Sequence, residues 1–77
     1  MRYSFTVHVS GVNIETDNYE DAFFEAGCGD ALVAVIGDDL FLDFDREAPS
    51  FEEAIRSATL NIEKAGGKVL DVKRIAA

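Results

Sequence analysis

Along an extended chain from Tyr3 to Val9, Tyr3, Phe5, Val7 and Val9 point one way and Ser4, Thr6 and His8 the other. A second alternating run, Leu40–Asp45, puts Leu40, Leu42 and Phe44 inward and Phe41, Asp43 and Asp45 outward. Two such half-dry strands need a layer to cover one face. The chain has 77 residues, enough for one domain, so the cover must come from the segments between and after them. Ala31–Ile36 (ALVAVI) is a further strand, apolar on both faces, so parity does not say which side packs. Gly37-Asp38-Asp39 joins it to Leu40–Asp45 as an antiparallel hairpin.

Helical signals fill the gaps. Asp17 or Asn18, with Glu20 or Asp21 three residues on, predicts a reciprocal cap for a helix over about Asn18–Ala26. Its inner side is Tyr19, Ala22, Phe23 and Ala26, and Gly27 ends it. The second start is stronger. Pro49 precedes Ser50 as N-cap, Glu53 sits at the third helical position, and Glu47 and Glu52 lie near the positive helix end. Ala54, Ile55, Ala58, Ile62 and Ala65 form a narrow stripe of mostly small residues that allows close approach to a sheet. Lys64 and then Gly66-Gly67 end that helix. Lys68–Ile75 is the last strand, anchored on Leu70 and Val72, with Val69 and Ile75 in the opposite phase. The order β-α-β-β-α-β predicts a single α/β domain over residues 1–77, the ferredoxin-like plait. Its four-stranded antiparallel sheet has order 4-1-3-2, with both helices on one face.

Charge narrows the function classes. The chain has 15 acidic and 7 basic residues, a net charge of -8, yet 48% hydrophobic residues, too many for a disordered acidic tail. Between Glu15 and Glu53 there are 13 acids and one base, Arg46. From Arg56 onward the balance reverses, with Arg56, Lys64, Lys68, Lys73 and Arg74 against Glu63 and Asp71. A field of one sign over half the surface repels nucleic acid and anionic membrane and attracts basic partners, or serves only to keep a small protein soluble. No direct nucleic-acid or membrane partner is expected. With no membrane-length apolar run and no signal-peptide layout, the reading is a soluble, cytoplasmic protein, monomer or homodimer.

The open sheet face should carry Ser4, Thr6 and His8 beside Phe41, Asp43 and Asp45. RNA-binding sheets stack bases on aromatics among Lys and Arg; here Phe41 stands among carboxylates. Asp43 and Asp45 lie about 6.6–6.8 Å apart on one face. Two carboxylates with His8 nearby fall short of the six or more oxygens of a calcium site, and an acid/base pair lacks cleft walls and a third group. A solvated face or a protein-contact surface remains. Cys28 stands alone between Gly27 and Gly29, at a helix C-terminus that does not favour a thiolate, and reads as a small buried hydrophobe. No metal, cofactor or enzymatic activity is expected.

Three segments, YEDAFFEAGCGDA (Tyr19–Ala31), LFLDFDREAPSFEEAIRSA (Leu40–Ala58) and IEKAGGKVLDVKRI (Ile62–Ile75), together resemble a bacterial family. In that family a small α/β domain precedes a helix-turn-helix segment, in DNA-binding or antitoxin-like regulators. The resemblance covers nearly all of these residues and none of the helix-turn-helix, so it implies an accessory or oligomerisation domain. In size, acidity and expected fold the chain is also similar to phage anti-CRISPR proteins that mimic DNA. Phosphates recur about every 3.4 Å along one DNA strand, and carboxylates at alternate strand positions have about twice that spacing. The resulting expectation is a non-enzymatic inhibitor of a host defence complex. Its acidic surface, Glu20, Asp21, Glu25, Asp38, Asp39, Phe41, Asp43 and Asp45, would occupy a basic nucleic-acid-binding surface.

Overall fold

The computed structural model describes residues 1–13 and 18–74. Its elements are β1 (Arg2–Ser10), α1 (Tyr19–Glu25), β2 (Ala31–Ile36), β3 (Asp39–Glu47), α2 (Phe51–Lys64) and β4 (Lys68–Arg74). The four strands make one antiparallel sheet in the order β2-β3-β1-β4, the predicted order read from the other edge. β1 and β3, the two runs of cleanest alternation, are its centre. Their inward rows, Phe5, Val7, Val9 and Leu40, Leu42, Phe44, are buried and form one core with Phe23 of α1 and Ala54, Ala58 and Ile62 of α2. Phe5 and Phe44 stack at 5.2 Å between ring centroids.

The small stripe of α2 packs on the core through Ala54, Ala58, Ile62 and Ala65, whereas Ile55 is half-buried and outside it. Ala54, Ala58 and Ile62 are fully buried, and Ser50 accepts a hydrogen bond from the Glu53 backbone N–H at 3.2 Å. Both helices end on a left-handed glycine. At Gly27 (φ +109°) and Gly66 (φ +92°) the glycine's own N–H and the next one fold back on the last turn: Gly27 donates to Phe24 O and Cys28 to Phe23 O, Gly66 to Glu63 O and Gly67 to Ile62 O. A Cβ on Gly67 would stand 2.8 Å from both Ile62 and Val9, so α2 runs into β4 against the sheet with no space for a side chain.

Three expectations change, and one open question is settled. Asn18 is the N-cap residue of α1, but its side chain makes no cap; its amide instead donates to the Asp21 carboxylate at 2.7 Å. Asp17 lies outside the described residues. The hairpin turn is two residues, Gly37-Asp38, because Asp39 pairs with Ile36; Gly37 alone takes positive φ (+64°), which suits a tight hairpin. The last strand is anchored on Val69 and Val72, with Leu70 half exposed. The reason is a register shift: Val69 pairs with inward Val9 and exposed Asp71 with outward His8, so Leu70 between them is the extra residue of a bulge and Val72 returns to the inward row opposite Val7. The described strand ends at Arg74, and Ile75 lies outside the described residues. β2 resolves the open question of parity: Ala31 and Val33 pack against the core, while Leu32, Ala34 and Ile36 lie on the open face.

Candidate functional site: an acid-rimmed sheet edge

Arg46 organises the region, and composition alone did not reveal its role. It continues the inward parity of Leu40, Leu42 and Phe44 and is buried, with its guanidinium 4.8 Å from the Phe44 ring centre. All five of its N–H groups are used. Nε and Nη2 donate to the two carboxylate oxygens of Asp30 at 2.7 and 2.8 Å, Nη2 also to Gly27 O at 2.8 Å, and Nη1 to Ser57 Oγ at 3.1 Å and Asn61 Oδ1 at 2.9 Å. One side chain therefore ties the end of α1, the start of β2, strand β3 and helix α2 together. The hydrogen bonds from Arg46 hold the Asp30 carboxyl below its ordinary range, against the opposing effect of burial. The same pairing raises the Arg46 pKa.

This removes the acidic segment's one base from the surface. Besides Asp30, itself partly exposed, ten acids of that segment, Glu20, Asp21, Glu25, Asp38, Asp39, Asp43, Asp45, Glu47, Glu52 and Glu53, are exposed, and Glu15 and Asp17 lie outside the described residues. They do not form one patch. On the open face the register sets Thr6 opposite Asp43, with the hydroxyl donating to the carboxylate at 2.6 Å, and Ser4 opposite Asp45. Arg2 reaches Asp45 at 3.6 Å and Glu47 at 3.9 Å; these pairs are exposed, so they are weak. His8 stacks on Phe41 at 4.7 Å and meets Asp39 at 3.1 Å, so Phe41 is half-buried with one face already covered. Lys73 of β4 sits opposite Thr6.

Glu20 and Asp21 belong to the other layer. They rim a groove of about 380 Å³ between α1 and β2, lined also by Phe24, Ala31, Leu32 and Val33. Glu25 lies elsewhere, beside Lys64 in the cleft between the helices. The feature that joins the two acidic groups is the β2 edge. Its outer row is apolar and open to solvent: Leu32 is 77% exposed and Ile36 67%, with Phe24 at 70% across the groove. Asp43 pairs with Leu32 and Asp39 with Ile36 on one side, Glu20 and Asp21 flank the other, and Asp38 stands in the turn at the strand's end.

Cys28 is 4% exposed within the core, and burial pushes its thiol up to about 11, against a smaller downward pull from Arg46. That is the inert, packed cysteine expected from sequence. No group of three or more His, Cys, Asp or Glu among the described residues is placed to hold a metal ion. Among the described residues no helix is long and apolar enough to cross a membrane. Compared with known proteins, the chain matches no family model, no curated protein and no solved structure.

Proposed function

We propose that this domain is a non-enzymatic acidic inhibitor that binds a basic, nucleic-acid-binding surface on another protein, as anti-CRISPR DNA mimics do to defence complexes. The element order and the β2-β3-β1-β4 sheet support reading the fold as a ferredoxin-like plait. One observation carries the functional reading. Arg46, the segment's only base, is buried and paired with Asp30, and ten other acids of the same segment remain exposed. Such a field steers a Lys/Arg-rich surface into contact and repels nucleic acid. The partner is sought by affinity capture from cells carrying a CRISPR system. Capture should weaken at about 0.5 M salt and on adding duplex DNA, and should drop with Asp43→Lys plus Asp45→Lys. Undiminished capture under all three conditions refutes the reading.

A second reading, an association module of a helix-turn-helix or antitoxin-like regulator, is favoured by the exposed apolar residues Leu32 and Ile36. It expects a partner bound through those residues, indifferent to DNA and to the charge reversal.

A further inference from the structure

The two sheet edges differ. β4 carries Lys68, Asp71, Lys73 and Arg74 and a bulge at Leu70, devices that blunt an edge against further pairing. β2 has none of these. Its six residues are uncharged, free of proline and in unbroken register with β3 from Ala31 to Ile36. Asp45 N–H donates to Asp30 O at 3.1 Å, which sets the phase of the ladder. Leu32, Ala34 and Ile36 therefore turn their backbone groups toward β3, and Ala31, Val33 and Val35 turn theirs outward. Ala31 N–H is taken by Cys28 O at 3.1 Å. Val33 and Val35 are left as the outward N–H and C=O pairs of the edge.

We propose that the β2 edge accepts an extended segment of a basic partner as a fifth strand, with apolar side chains over Leu32 and Ile36 and alternate Lys or Arg side chains toward Glu20 and Asp21. This deepens the inhibitor reading and rests on it for the sign of the partner's charge. Alternation sorts the two side-chain rows of an added strand onto opposite sheet faces. One row meets the exposed Leu32–Ile36 surface as cross-strand neighbours. The other lies along the groove beside Phe24, where long basic stems cover apolar surface and their charges reach the acids at its rim. Ladder hydrogen bonds provide affinity and the alternate rows provide specificity, as in strand addition generally. Charge decides against a second copy as the occupant. Pairing β2 with itself sets two chains of net charge -8 edge to edge and crowds Glu20, Asp21 and Asp38 against their counterparts.

The test uses the whole chain and a capped peptide alternating lysine and valine, with a lysine–proline peptide of equal charge as control. Titration should show the valine peptide binding at least about tenfold tighter, because proline cannot donate to the ladder. Amide hydrogen exchange at Val33 and Val35 should slow by about tenfold or more at saturation. Leu32→Ser plus Ile36→Ser leaves every charge in place and should weaken binding about tenfold. Glu20→Gln plus Asp21→Asn should weaken it and flatten its salt dependence. Urea melts confirm that both variants are folded. Loss only in the charge variant, with fast exchange at Val33 and Val35, overturns strand addition and leaves the acidic reading standing. Loss only in the serine variant overturns the basic partner. No preference for the valine peptide overturns the proposal, and so does concentration-dependent protection of Val33 and Val35 without peptide, which assigns the edge to a second copy.

Discussion

Replacing Arg46 with methionine tests whether one side chain holds the two layers in place. Methionine keeps much of the volume but removes five hydrogen bonds and leaves Asp30, Gly27 O, Ser57 and Asn61 to find water. Breaking a buried ion pair from one side costs about 3–5 kcal/mol. The lower end applies, because the Asp30 side chain is 33% exposed and can rehydrate in place. A 77-residue domain at roughly 0.05–0.15 kcal/mol per residue has about 4–12 kcal/mol in total. Arg46→Met therefore removes a quarter or more of the stability, and the urea midpoint should fall by about 3 M at about 1 kcal/mol per molar. Arg46→Lys keeps the charge but not the fork, and should fall between methionine and wild type. A cycle with Asp30→Asn separates the pair from the rest: the double variant should lose about 1–3 kcal/mol less than the sum of the singles. Because Asp30 has a lowered pKa when folded, its contribution is complete above its ordinary value of 3.8 and is lost as pH falls below it toward the folded value. Arg46→Met should flatten that acid limb. Additive singles, or a midpoint for Arg46→Met unchanged within about 0.5 kcal/mol, would refute the brace.

Phe44→Ala, which empties a site beside Phe5, should cost about 3–5 kcal/mol, and Phe41→Ala on the open face far less; urea melts in the reverse order would mean the phase of β3 is wrong. Ser50→Ala should cost about 1 kcal/mol by the same measurement, through loss of the bond to Glu53 N–H. Gly67→Ala should cost about 1–3 kcal/mol by overpacking against Ile62 and Val9. Cys28 is protonated in the folded state up to about 11, so its contribution is full below the unfolded pKa of about 9 and is lost as pH rises toward 11. Thiol reagents at pH 8 should label Cys28 only at the rate of unfolding, and immediate labelling would contradict its burial.

What the sequence made legible was local and periodic. The parity of β1 and β3, the Ser50–Glu53 cap and the left-handed Gly27 each depend on residues within a few positions of one another, and each appears in the structure. The bulge at Leu70 was not legible, because only the pairing with β1 decides which residue is squeezed out. The parity of ALVAVI was unreadable for a related reason: with apolar residues on both faces, its neighbour β3 sets which row packs. Arg46 gave a signal that composition concealed. It extends Leu40, Leu42 and Phe44 by one inward position, which marks a base placed in a core row. Its acceptors, 11 to 19 residues away, could not be named from spacing.

The same pairing shapes the surface it is hidden from. An Asp30 without Arg46 would put an unpaired carboxylate at the start of β2, beside the strand's first outward carbonyl. Pairing it with the buried Arg46 leaves the edge from Ala31 to Ile36 apolar, with unpaired carboxylates confined to its flanks. In the proposed complex the two parts act at different stages of association. Flanking charges act at a distance, are screened within about 8–10 Å, and raise the rate of encounter. The apolar row and the outward N–H groups of Val33 and Val35 act only on contact and govern how long the complex lasts. Charge-removing variants should therefore slow association and reduce its salt dependence, whereas Leu32→Ser with Ile36→Ser should speed dissociation and leave the association rate nearly unchanged. Stopped-flow traces with the lysine–valine peptide separate the two rates. A serine variant that alters association alone would show that the edge takes no part in the bound state.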